Sequence, residues 1–227
     1  DSVILPNTTT AESTLTGKFE FLDDGFRLPI ASSGANNSSY DYVAWCFKAG
    51  GAPSVSNPFM IDETGYSTAS AAGLDDVNGV LTSASINTNF GFGIYNVEYA
   101  SNEFTTAFKH GLGQTPELVI TKVTDGSSVW YVIADNNGSN DRLRLNTTDG
   151  FSTDPNFDVS STTIKTGYSS GAYDMIAYAF TSKTGVSKVG SYTGTGAVGK
   201  EIVTGFEPAF VMVKRTNGSG DWMMHDN

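Results

Sequence analysis

The sequence predicts an all-β protein, an antiparallel β-sandwich built from two similar internal repeat units. Composition is the first reason. Thr, Ser, Gly, Val, Tyr and Phe are plentiful among the 227 residues, while Lys, Glu, Gln, Leu and Arg, the usual fillers of helix surfaces, are scarce. Patterning is the second: apolar runs are strand-sized, no long stretch repeats at the helical period, and Gly, Asn and Asp turns recur roughly every ten residues. Internal repetition is the third. Gly111-Leu-Gly-Gln-Thr-Pro-Glu-Leu-Val-Ile-Thr-Lys122 returns, shortened, as Gly205-Phe-Glu-Pro-Ala-Phe-Val-Met-Val-Lys214, and each Lys is followed eight residues later by a Trp, Trp130 and Trp222.

Taken in order, each unit opens on an Asn-Thr-Thr strand, Ile4-Leu-Pro-Asn-Thr-Thr9 in the first and Leu143-Arg-Leu-Asn-Thr-Thr148 in the second. Asp24-Gly25-Phe26 is matched to Asp149-Gly150-Phe151 downstream. An aromatic strand follows, Tyr42-Val-Ala-Trp-Cys-Phe47 against Tyr173-Asp-Met-Ile-Ala-Tyr-Ala-Phe180, aligned through Ala44 with Ala177 and Phe47 with Phe180. Phe92–Tyr99 alternates as a half-buried strand should, with Lys188–Thr193 as its counterpart. The repeated Pro then opens a strand buried on both faces whose closing Lys carries its head to solvent. After the Trp comes an Asp-Asn pair, Asp135-Asn136 and Asp226-Asn227.

The first unit spans 1–136 and the second, shorter one 141–227. They differ by an insertion at about 48–90 in the first, too long for a structureless loop and so expected to hold one or two strands, for example around Val80 to Ile86, or to form an arm on a neighbouring subunit. Both ends of the chain fall at the same point of the repeat, in a polar loop like Asn136–Asp141. Since it also begins at Asp1 rather than Met, a fragment or processed product is expected.

A formal net charge of −11 with basic residues scattered singly argues against nucleic acid, because phosphate neutralisation needs clustered cations. No apolar run approaches the length of a membrane-spanning helix, so no membrane insertion is expected. The one cysteine, Cys46, excludes an intrachain disulfide and reads as a small core residue.

The residues that carry chemistry elsewhere are sparse here. His110 and His225 are not repeated, Thr204 and Ala134 standing in their places, and neither has partners at the spacing of a metal site or triad. Asp62 with Glu63 and Asp75 with Asp76 are adjacent, so strand alternation points them to opposite faces and they read as turn residues. A glycosidase pair would have to come from distant segments or from two subunits. Asp135, Asn137, Ser139 and Asp141 place oxygens at alternate positions as a calcium loop does, but Asn146 stands where a bidentate Glu belongs, and an ordinary polar turn is the preferred reading. Trp130 and Trp222 are the candidate ligand-contacting aromatics, since an aromatic face suits a sugar ring. Their equivalent repeat positions equally fit a core role, and Trp45 lies on a strand that reads as buried. No catalytic residue, metal ligand or cofactor is assigned.

The series Leu5-Pro-Asn-Thr-Thr, Phe21-Leu-Asp-Asp-Gly-Phe-Arg-Leu28, Tyr42-Val-Ala-Trp-Cys-Phe-Lys-Ala-Gly-Gly51, Gly65-Tyr-Ser-Thr-Ala, His110-Gly-Leu-Gly and Gly190-Ser-Tyr-Thr-Gly-Thr-Gly196, with Gly205–Arg215, resembles a domain of unknown function. That domain recurs in predicted tail-fibre and appendage proteins of marine tailed phages, including cyanophages. The resemblance implies a structural or host-recognition module of a virion appendage, extracellular, a slice of a longer fibre, binding cell-surface glycan or protein without catalysis. It implies self-association, with a homotrimer expected, and contact with other tail proteins and a host receptor; it supplies no catalytic residue. Two other readings are a glycan depolymerase of a phage tailspike and a bacterial surface adhesin repeat.

Overall fold

The structure is a computed structural model that describes residues 2–14, 19–28, 35–75, 78, 80–100, 106–134, 141–167 and 171–226. These contain 18 strands and no helix. Two short hairpins come first: β1 (Ser2–Val3) with β2 (Ser13–Thr14), and β3 (Glu20–Leu22) with β4 (Gly25–Arg27). The body follows as β5 (Phe59–Ile61), β6 (Thr64–Tyr66), β7 (Leu81–Asn87), β8 (Phe92–Tyr99), β9 (Ala107–Lys109), β10 (Leu118–Val123) and β11 (Tyr131–Ala134). It continues through β12 (Asp141–Arg144), β13 (Ser152–Thr153), β14 (Phe157–Val159), β15 (Thr163–Thr166) and β16 (Tyr173–Phe180), and the chain closes on the hairpin of β17 (Phe210–Lys214) and β18 (Trp222–Asp226).

Nine strands form one mixed sheet in the order β13-β12-β11-β10-β16-β8-β7-β5-β6, antiparallel except for the parallel pair β5 and β7. A second sheet, β14-β15-β9, covers one of its faces. Strand alternation explains the packing. Tyr95, Val97 and Tyr99 of β8, Met175, Ala177 and Ala179 of β16, and Val119 and Val123 of β10 point to one side and are buried with Phe108, Phe157 and Ile164 of the smaller sheet. Register sets small Ala177 opposite Tyr95, and pairs Ala179 with Gly93. A Cβ on Gly93 would meet the Tyr95 Oη at 2.2 Å, so glycine is what lets that ring lie along the strand. The Tyr95 hydroxyl donates to the His110 carbonyl at 2.6 Å and joins the two layers. His110 is itself buried, and its Nδ1 accepts the Leu112 N–H at 3.1 Å.

Several expectations change. The insertion at 48–90 supplies three strands, β5 to β7, that extend the main sheet beyond β8 and form no separate arm. Lys122 does not reach solvent: it is fully buried, its Nζ donating to the Val123 carbonyl at 2.6 Å and the Gly126 carbonyl at 3.4 Å. The wide turn after β10 turns its carbonyls inward and replaces the ammonium's water shell, while burial lowers the Lys122 pKa against the opposing pull of Asp125. Tyr42–Phe47 has no strand assignment, and Trp45 and Cys46, expected in the core, are exposed. Lys188–Thr193 also lacks the strand read for it.

Two outcomes follow for stability. Phe108→Ala, which empties the centre of the interlayer core, should cost about 3–5 kcal/mol in urea unfolding. Burial holds the His110 pKa below its ordinary value against the pull of the Ser160 and Ser161 carbonyls. The unfolded chain therefore takes up a proton near pH 6.5 that the folded chain refuses, and stability falls as pH drops below that point. Unfolding at about pH 7.5 and about pH 5.5 should show the loss, and His110→Gln should shrink the difference between the two.

Candidate functional site

The long turn after β10 is crossed by the N-terminal segment, and the turn after β17 by the loop between β12 and β13, with the same bonds at matched positions. Trp130 Nε1 donates to the Leu5 carbonyl at 3.1 Å, and Trp222 Nε1 to the Arg144 carbonyl at 2.9 Å. The Ser128 N–H donates to Thr9 and the Gly220 N–H to Thr148; Glu12 donates to Thr124 and Phe151 to Thr216. The register of β1 on β2, Ser2 opposite Thr14, is that of β12 on β13, Asp141 opposite Thr153. This geometry corrects one sequence alignment. Asp149-Gly150-Phe151 lies in the crossing loop, equivalent in role to Thr10–Glu12, whereas Asp24 lies in the turn and Gly25 opens β4 of the β3–β4 hairpin, whose counterpart is β14–β15.

At the second crossing the two loops enclose an open cleft of about 710 Å³, lined by Arg142, Arg144, Asp149–Ser152 and Thr216–Ser219. Gly150 permits the close approach, since a Cβ there would sit 2.7 Å from the Thr216 carbonyl oxygen. Arg142 and Arg144 alternate with the buried Leu143 on β12 and so share a face. Arg142 is fixed by Asp154, Nη2 at 3.0 Å and Nε at 3.1 Å from the same oxygen, and lies 4.4 Å over the Tyr131 ring. Arg144 Nη1 pairs with Asp149 at 2.9 Å, and Thr147 holds the same oxygen at 3.0 Å. Arg142 Nη1 and Arg144 Nε have no partner among the described residues. The cleft thus sets two arginines, each paired with an aspartate, among hydroxyls and amides, a polar array that can exchange hydrogen bonds with hydroxyls or carboxylates.

The sequence candidates fall elsewhere or at its margin. Trp130 is 5% exposed and spends its indole N–H on Leu5, which leaves little ring for a ligand. Trp222 is half-buried beside the cleft. Asp62 and Glu63 occupy the β5–β6 turn with φ of 48° and 70°; Asp62 accepts from Thr88 and Glu63 pairs with Lys48 at 2.5 Å. Of the calcium reading only Asp141 is described, accepting from Thr153 at 2.7 Å, and Asp135 to Asn140 lie outside the described residues, as does Asp76. His225 is exposed on β18.

Sequence spacing missed an acidic pair. Register sets Asp174 of β16 directly opposite Glu98 of β8, on the face away from the core, in a hollow of about 220 Å³ with Thr82, Asn96 and Thr124. Burial, then Asp125 and Glu98, raise the Asp174 pKa. The two carboxylates are far apart in the chain, so only strand pairing brings them together.

Trp130→Phe keeps the packing but removes the bond to Leu5, and should cost about 1–2 kcal/mol while speeding protease cleavage of the N-terminal segment. Trp222→Phe should act in the same way on the cleft, loosening residues 216–219 with the main sheet intact.

No curated protein and no solved structure is significantly similar to the chain. The model of a family described as a domain of unknown function, DUF7483, matches residues 1–227, and the chain belongs to that family.

Proposed function

We propose that the protein is a non-catalytic module of a phage tail fibre or other virion appendage, a β-sandwich of two repeat units that contacts a host-surface glycan or protein. The observation that carries the recognition part is the cleft of Arg142, Arg144 and Asp149. Arg144, with 39% of its side chain exposed, meets a rim of hydroxyls and amides there, and the one lining carboxylate is already engaged by Arg144. Such a cleft suits an acidic or hydroxyl-rich sugar on the host surface, held by several charge-assisted hydrogen bonds. The virion setting rests on the likeness of the sequence to tail-fibre domains. A rigid all-β body presenting polar loops suits attachment, and display on an oligomer raises the avidity of weak sites.

The depolymerase reading draws on a different observation, Asp174 facing Glu98 with a raised Asp174 pKa, which is the kind of carboxylate pair that glycoside hydrolysis uses. Binding of the purified protein to cells of a candidate host, beside a glycan-release assay on the same cells, separates the two. Saturable binding without release, weakened about tenfold or more by Arg144→Ala, is expected. Oligosaccharide release that Asp174→Asn abolishes would replace attachment by cleavage.

A further inference from the structure

Three edges in the body of the protein are completed by a strand from later in the sequence. β16 fills the space between β8 and β10, β12 extends β11, and β15 extends β9. In each case a strand from residues 141–180 closes an edge made by residues 92–134. Residues 201–226 repeat the second set and residues 3–47 the first. Ile202 matches Phe108, Val211 matches Val119 and Met224 matches Val132; Ile4 matches Leu143, Phe26 matches Ile164, and Phe47 matches Phe180.

These matched residues differ in what covers them. Phe108, Val119, Val132 and Ile164 are 0% exposed, whereas Ile202 is 48%, Val211 38%, Met224 53% and Phe26 38% exposed. Among the described residues β17 pairs only with β18, and Tyr42–Phe47 pairs with no strand. The same kinds of side chain lie at the same places in the strand pattern, and only the partner strand is missing.

We propose that a second copy of this chain supplies it, residues 3–47 of one copy pairing head to tail with residues 201–226 of the next. The register follows from the body. Leu118 opposite Phe180 becomes Phe210 opposite Phe47, Val119 opposite Ala179 becomes Val211 opposite Cys46, and Val132 opposite Leu143 becomes Met224 opposite Ile4. Ile164 opposite Phe108 becomes Phe26 opposite Ile202, which sets Arg27 across from Glu201. That pairing adds a charge match to the apolar one. The chain's own N-terminal segment touches the hairpin out of that register: Phe210 meets Trp45 at 5.0 Å where the register requires Phe47, and Phe47 packs instead on Phe92 and Phe180, each at 5.6 Å. Two different surfaces that complete each other propagate as a linear assembly. This goes beyond the recognition reading, because cleft binding by a single copy would survive its failure.

Cys46, the one cysteine of the chain, makes the register testable in the intact protein. Val211→Cys places a second thiol opposite it, and Met212→Cys places one on the other face. Mild oxidation of Val211→Cys should give a ladder of disulfide-linked dimers, trimers and longer species at least about tenfold faster than Met212→Cys. Equal rates for the two variants overturn the register, and an intramolecular disulfide in a chain that stays monomeric overturns the second copy as occupant. Sedimentation of the cysteine-intact protein gives an independent reading. Arg27→Glu should weaken association, and adding Glu201→Arg should restore it; no recovery in the double variant counts against the pairing.

Discussion

The structure depends on one long-range strand pairing, β16 set between β8 and β10. It makes eight residue pairs on one side and six on the other. Remove it and the main sheet separates into β5 to β8 and β10 to β13, each with an open edge, and the core face made by Tyr95, Val119 and Met175 loses its continuity. An edge strand leaves a row of N–H and C=O groups and a strip of apolar side chains without partners, so both terms favour insertion. The smaller sheet is tied to the same event, because β14 and β15 lead directly into β16 and cover the face that it completes.

The crossing turns meet a second constraint, the satisfaction of polar groups that packing removes from water. Each wide Lys-to-Trp turn holds a lysine ammonium folded onto its own carbonyls, and each has an indole N–H aimed at the segment that crosses it. Lys214 Nζ also reaches the Thr148 carbonyl at 3.1 Å, so the lysine bonds both the turn and the loop crossing it. Pairing buried donors with main-chain acceptors avoids a penalty of about 1–3 kcal/mol for each group left unmet. The repeated Lys and Trp are therefore fasteners first, and the difference between the two crossings lies in what surrounds them. Where the first has Val3 and Leu5, the second has Arg142 and Arg144, and there the cleft opens.

The proposed site is carried by side chains set on the main sheet and the turns beside it. The cleft draws its charge from β12, its backing from Asp149 and Asp154, and its far wall from the turn after β17. Asp174 and Glu98 face each other on the uncovered side of the same sheet, where burial first, and then the charges of Asp125 and Glu98, raise the proton affinity of Asp174. Opposite faces of one sheet thus offer a polar cleft beside Arg142 and Arg144 and an acidic hollow at Asp174 and Glu98, and the recognition proposal draws on the cleft, the larger of the two.

The sequence by itself determined the all-β character, the Pro-to-Lys strands with their matched Trp and the order of matched segments, because alternation and turn residues act over a few positions and leave their mark locally. The match of Thr9 with Thr148 and of Trp130 with Trp222 was legible for the same reason. Tertiary structure alone decided which strand each edge receives. Tyr42–Phe47 and Tyr173–Phe180 are close in sequence, yet the second lies in the centre of a sheet and the first pairs with no strand, since pairing depends on a neighbour that the segment does not encode. The burial of Lys122, the meeting of Arg142 with Asp154 and the facing of Asp174 with Glu98 were hidden in the same way. Each arises from register between segments far apart in the chain, and a one-residue slip would turn every one of those side chains to the other face.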